Sequence, residues 1–149
     1  MRMHRRNRLS AVALGIALPL AVAQLMVAEV VSVEAADSRP YAMGGQTRKF
    51  AVDVARYRQS GELFRITGHC QSACTMFLSL PNACVEPSAR LLFHAGKTPE
   101  GTQNMLNSYN AKLRSYVLAN GIMETQKFHT ISGRDIINRF GYRACPAAK

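Results

Sequence analysis

Tryptophan is absent from this chain, acidic residues are scarce, and no stretch is repetitive or of low complexity. Without a biased tract, and with 48% apolar residues, long-range disorder is excluded and a packed core is within reach. A length of 149 residues leaves room for a single domain. The paired CxxC motifs of structural zinc sites and the GxSxG elbow of α/β-hydrolases are both missing. Only 9 Asp and Glu oppose 19 Lys and Arg, giving a formal net charge of +10. Such an excess first suggests nucleic acid or an anionic surface. Beyond residue 35, however, basic residues never run longer than two, and aromatic residues are not interleaved with them as stacking platforms. A solvated basic surface is expected instead, with no nucleic-acid partner.

What is present begins with an address. Residues 1–9 carry four Arg and no acid, residues 10–33 are almost wholly apolar, and Val33-Glu34-Ala35 places small residues at positions −3 and −1. This is the pattern of a secretory signal peptide over residues 1–35, with cleavage after Ala35 or, as second choice, Ala36. A retained membrane anchor is the alternative, since the apolar stretch is long enough to span a bilayer; Glu29 and the cleavage site speak against it. Cleavage would leave 15 basic against 7 acidic residues. The expected location is periplasmic or secreted, with no membrane association after processing. All four cysteines, Cys70, Cys74, Cys84 and Cys145, lie beyond the cut. Export and an even number favour two disulfides. A zinc set drawn from Cys70, Cys74, Cys84 and His69 is the rival.

Residues 36–46 read as an N-terminal loop segment and residues 47–149 as the domain. The repeat Phe50, Val54, Tyr57, flanked by Ala51 and Ala55, predicts a helix over 47–60 stopped by Gly61. Asp53 pairs with Arg56 on its surface. Residues 63–67 read as a strand ended by Gly68, 74–80 as a short buried helix, and 90–94 as a second strand. The longest helix is expected over 102–120, facing the core with Met105, Tyr109, Leu113 and Tyr116, widened by Leu106 and Val117. Ser132-Gly-Arg-Asp135 is a capping box for a last short helix through Arg139. Helices alternating with short strands make an α/β domain.

The chemistry concentrates in Gly68-His69-Cys70-Gln71-Ser72-Ala73-Cys74-Thr75. A strand stops, a serine sits in a bend of small residues, and a helix starts. Such a bend can expose a hydroxyl at a helix N-terminus, where free N–H groups stabilise an oxyanion. The competing reading makes Ser72 a plain helix cap. Gly44-Gly45 lies ahead of the first helix, His94 at the end of an apolar strand, and Glu124 just after the long helix. Asp135 is the rival acid, although capping accounts for it; His69 and His129 have no assigned role.

Gly44-Gly45, Ser72, the strand Arg90-Leu-Leu-Phe-His94 and Glu124 resemble, in order and spacing, the Clp protease proteolytic subunit and the wider crotonase-like superfamily. Gly68, Cys70, Ser72-Ala73-Cys74-Thr75, Cys84, Pro87, Leu91 and Phe93-His94-Ala95 resemble more closely a group of small exported bacterial proteins, mostly uncharacterised, over roughly residues 43–146. The resemblance implies a reduced fold of repeated β-β-α units. It also implies an exported serine hydrolase, peptidase-like, acting on a peptide or acyl substrate. Ser72 would be the nucleophile, His94 the base, Glu124 the orienting acid, and Gly44, Gly45 and Ala73 the oxyanion hole, without metal or organic cofactor. Ring-shaped homo-oligomers are the fold's habit. The chain departs from the superfamily in its short length, in Cys74 where a glycine is usual, and in Glu in place of Asp. A non-catalytic envelope module on the same scaffold is the alternative, and an acyl-CoA enzyme the third. The expected pairing is Cys70–Cys74 across the Ser72 bend. With it goes Cys84–Cys145, where the superfamily's chain returns beside the His94 strand. Cys74–Cys84 with Cys70–Cys145 is the second choice.

Overall fold

The computed structural model describes residues 35–147. The signal-peptide expectation lies outside the described residues but for Ala35 itself. The described chain is a mixed α/β domain with two three-stranded sheets. Its elements are β1 (Ala36–Asp37), a 3-10 turn (Arg39–Tyr41), α1 (Thr47–Ser60), β2 (Phe64–Ile66), β3 (His69–Gln71) and a 3-10 helix (Ser72–Ser79). There follow β4 (Ala83–Val85), β5 (Arg90–Phe93), α2 (Pro99–Asn107), α3 (Ala111–Ala119), β6 (His129–Ser132) and α4 (Gly133–Asn138). The first sheet, β1-β2-β4, is all parallel; the second, β3-β5-β6, is parallel between β3 and β5 and antiparallel between β5 and β6. Two successive segments therefore each give one strand to the first sheet, the next strand to the second, and then a helix. The first crossing turns on Gly68, whose φ of +58° suits glycine. Its carbonyl accepts from the Arg90 N–H at 2.7 Å, which ties the start of β3 to the start of β5.

Helix α1 has the predicted bounds. It buries Phe50, Val54 and Tyr57 and ends on Gly61, whose left-handed φ of +69° lets its N–H bond back to Tyr57. Ala51 and Ala55 stay exposed, so the buried stripe is narrower than the composition suggested. Tyr41, Phe50, Tyr57, Phe64 and Phe77 form one aromatic cluster, with Phe64 and Phe77 stacked at 4.3 Å. Aromatic contacts of this kind add to the free energy of apolar burial.

The expected helix over 102–120 is two helices. Asn110 interrupts it in an extended conformation (ψ 165°) and accepts the Leu113 N–H on its side chain at 3.0 Å, capping α3. The apolar face survives the break because Met105, Leu106 and Tyr109 are buried on one side and Leu113 and Val117 on the other. Residues 36–46, read as loop, hold β1 and the 3-10 turn. The helix read over 74–80 starts two residues earlier, as a 3-10 helix with Ala73 to Leu78 all buried. The capping box stands, with the Asp135 N–H bonded to the Ser132 Oγ at 3.1 Å.

Both expected disulfides are present: Cys70–Cys74 with Cα atoms 5.3 Å apart and Cys84–Cys145 with Cα atoms 4.7 Å apart. The rival pairing and the zinc set are thereby superseded, since no thiol is left free. The C-terminal segment returns beside β4 and not, as expected, beside the His94 strand: Cys145 donates to the Val85 carbonyl at 3.0 Å, and Val85 donates to that of Arg143 at 2.8 Å. Among the described residues no helix is long and apolar enough to cross a membrane.

Candidate active site

Strands β3 and β5 run parallel with Gln71 opposite Leu92. Ser72 and His94 are therefore the residues that leave the carboxyl ends of two adjacent strands. That is the edge at which open α/β sheets hold ligands. Both line one cleft of about 710 Å³, shared with Met43, Gly45, Lys97, Met105 and Phe128.

Ser72 is the only non-glycine residue with positive φ (+55°) among the described residues. A left-handed conformation costs an ordinary residue about 1–2 kcal/mol, so the surroundings must impose it. Three constraints do so. The Cys70–Cys74 bond closes across the bend. Thr75 Oγ1 donates to the Ser72 carbonyl at 2.7 Å. Thr75 Oγ1 also lies 2.7 Å from Tyr109 Oη; having spent its one proton on Ser72, Thr75 must accept here, and Tyr109 donates. Burial raises the pKa of Tyr109 well above that of an ordinary phenol, which keeps this proton in place. Thr75→Val should leave the buried Tyr109 hydroxyl unpaired and remove the side-chain bond to the Ser72 carbonyl, at a cost of about 1–3 kcal/mol in denaturant unfolding. Thr75→Ser should recover most of that loss. Gln71, not Ser72, occupies the cap position, and the Ser72 hydroxyl makes no hydrogen bond among the described residues.

The Gly44-Gly45 loop rests on this bend. A Cβ built on Gly44 would lie 2.6 Å from the Gln71 carbonyl oxygen, 2.8 Å from Ser72 Cβ and 3.2 Å from the Ala73 nitrogen, at a φ of +68°. Gln71 fastens the loop: its N–H donates to Ala42 at 2.9 Å and its side-chain amide to Met43 at 3.0 Å. The Gly44 N–H is occupied by the Tyr41 carbonyl at 2.9 Å, so this residue provides close approach rather than a donor. The Gly45 N–H remains, as does that of Ala73, which as second residue of the 3-10 helix has no intrahelical acceptor. Gly44→Ala should cost about 3–5 kcal/mol, combining backbone strain with a clash against main chain. Gly61→Ala, with φ +69° but open space around it, should cost only about 1–2 kcal/mol. Parallel urea titrations compare the two.

His94 follows β5 with both ring nitrogens shut off from solvent and without hydrogen-bond partners. The Phe128 ring stands edge-on to it, with centroids 4.5 Å apart. Burial lowers the His94 pKa below the ordinary histidine value; the Ala95 backbone opposes this without bonding the ring. Glu124 is exposed on the turn after α3, with its carboxylate folded back toward Gly121. It is not bonded to His94 and does not line the cleft. The main chain one residue further on does reach the site, where the Thr125 carbonyl accepts the Ala95 N–H at 2.7 Å. Asp135 is occupied in its cap, accepting from the Ser132 hydroxyl at 2.8 Å. His69 contacts the Gln71 side chain at 2.8 Å outside the cleft, and His129 pairs opposite Phe93 in the β5–β6 ladder. An exposed ion pair of Arg48 and Glu100, 2.9 Å apart, joins α1 to α2 at the cleft wall and adds little stability.

Sequence reasoning thus named Ser72, His94, Gly44, Gly45 and Ala73, which the fold brings together. It missed Gln71, Thr75, Tyr109 and Phe128 as supports. Thr75 and Gln71 lay within the motif itself; Phe128 carried no local signal. No protein-family model and no curated protein matches this chain.

Proposed function

We propose that the protein is an exported serine hydrolase, peptidase-like, built on a reduced Clp-protease or crotonase-like scaffold. The observation that carries the reading is the juxtaposition at the carboxyl ends of β3 and β5. There a serine with positive φ and an unengaged hydroxyl shares a cleft with a histidine whose ring nitrogens are unpaired. Ser72 Oγ attacks an acyl carbonyl while His94 takes its proton. The N–H groups of Gly45 and Ala73 receive the developing oxyanion. His94 then returns the proton to the leaving group, and a water molecule, activated the same way, releases the acyl group from Ser72. The apolar wall of Met43, Met105 and Phe128 suits an apolar acyl or side-chain group beside the reacting carbonyl. The two disulfides favour an oxidising compartment, periplasmic or extracellular. Glu124 as orienting acid would need its turn to swing toward His94.

Time courses with a fluorophosphonate probe test the reading. The purified 36–149 chain should label in a heat-sensitive manner, and Ser72→Ala should not label at all. A folded wild-type chain that stays unlabelled across pH 5–9 would favour a non-catalytic envelope module.

A further inference from the structure

The geometry points to Phe128 as a movable cover on His94, which must swing away before the imidazole can take a proton. This rests on the catalytic-pair reading above. A general base works through a hydrogen bond to the proton it removes. In the structure neither His94 nitrogen touches solvent or a partner. The ring that packs on it is 45% exposed, so it is held from one side only.

Its attachment suits a hinge. The Thr125 carbonyl is fixed by the Ala95 N–H, and the β5–β6 ladder begins at His129, opposite Phe93. Between these anchors residues 126–128 make a single hydrogen bond, a long one from the Lys127 N–H to Thr125 Oγ1 at 3.4 Å, besides the ring contact of Phe128 with His94. Residues 124–130 are all exposed, so Phe128 can turn outward without opening the core. The charged groups of the cleft are Lys97, Arg48 and Glu100; Glu124 lies on the turn before Phe128, outside the cleft, and His129 on β6 opposite Phe93. None of them bonds the ring. With Phe128 outward the imidazole meets water, and the burial that lowers its pKa is relieved.

The test uses the 36–149 chain and follows its histidine ring signals by NMR against pH, with His94→Gln assigning the His94 resonance. Phe128→Ala should raise the His94 midpoint by at least about half a pH unit toward the ordinary value. It should also speed fluorophosphonate labelling several-fold at pH 7.5. Phe128→Leu, which still covers the ring, should keep the His94 midpoint close to that of the wild type. An unchanged midpoint in folded Phe128→Ala overturns the cover, as does, where the wild type labels, a raised midpoint with unchanged or slower labelling. A raised midpoint with no labelling in any form, wild type included, supports the cover and sinks the hydrolase reading.

Discussion

His94→Ala should slow acylation of Ser72 by at least about a thousandfold, because nucleophile and base act as one unit and the loss of either removes most of the catalysis. Fold and stability should be little changed, since the ring makes no hydrogen bonds that hold other elements. The pH dependence has a definite sign. The base acts as neutral imidazole, and burial favours that form. The wild-type rate should therefore be full at pH 7 and fall on acidification with a midpoint below the ordinary histidine value of about 6.5. Stopped-time labelling from pH 4.5 to 9 measures both effects. A midpoint at or above the ordinary value would show that burial does not act on His94 as described, and a His94→Ala variant within tenfold of wild type would remove His94 from the base role.

The second large effect concerns stability. Cys84 and Cys145 are 61 positions apart, and their bond constrains the unfolded chain over that whole loop. Replacing both with Ala should cost about 4 kcal/mol in the chain-entropy account, a large share of the roughly 5–15 kcal/mol that holds a domain. The Cys70–Cys74 bond closes a loop of only four positions and should contribute about 2 kcal/mol. The functional order should be the reverse. Without Cys70–Cys74 the Ser72 bend loses one of its three constraints, so labelling should fall more than stability. Without Cys84–Cys145 the elbow is untouched, so stability should fall more than labelling. Urea midpoints and labelling rates on the two double variants separate these outcomes; equal losses in both assays would show that the bonds have no division of labour.

Much of this arrangement was legible in the residues because the determinants are local. The stripe Phe50, Val54, Tyr57 and the stop Gly61 specify α1 within one segment. The capping box at Ser132 and the Cys-Gln-Ser-Ala-Cys bend are equally self-contained. The elements that escaped are those made by partners distant in sequence. Strands β3 and β4 have three residues each, too few to show a period of two, and they exist because of their pairing with β5 and β2. Asn110 looked like any polar residue on a long helix. It breaks that helix by capping α3 and by donating from its side chain to the Phe140 carbonyl at 2.8 Å, thirty residues away. Phe128 likewise acquires its meaning only where the β5–β6 ladder lays it against His94. Glu124 shows the converse: a carboxylate at the right count along the chain, turned away by a local fold at Gly121.

The central claim is that Ser72 is the nucleophile of this cleft, and the most direct measurement is the site of a covalent adduct. Wild-type protein saturated with a small fluorophosphonate, digested with its disulfides intact and sequenced by tandem mass spectrometry, should carry one phosphonyl group. The account places it on Ser72, in the peptide held by the Cys70–Cys74 bond. An adduct on any other serine, or none on fully folded protein, would contradict it.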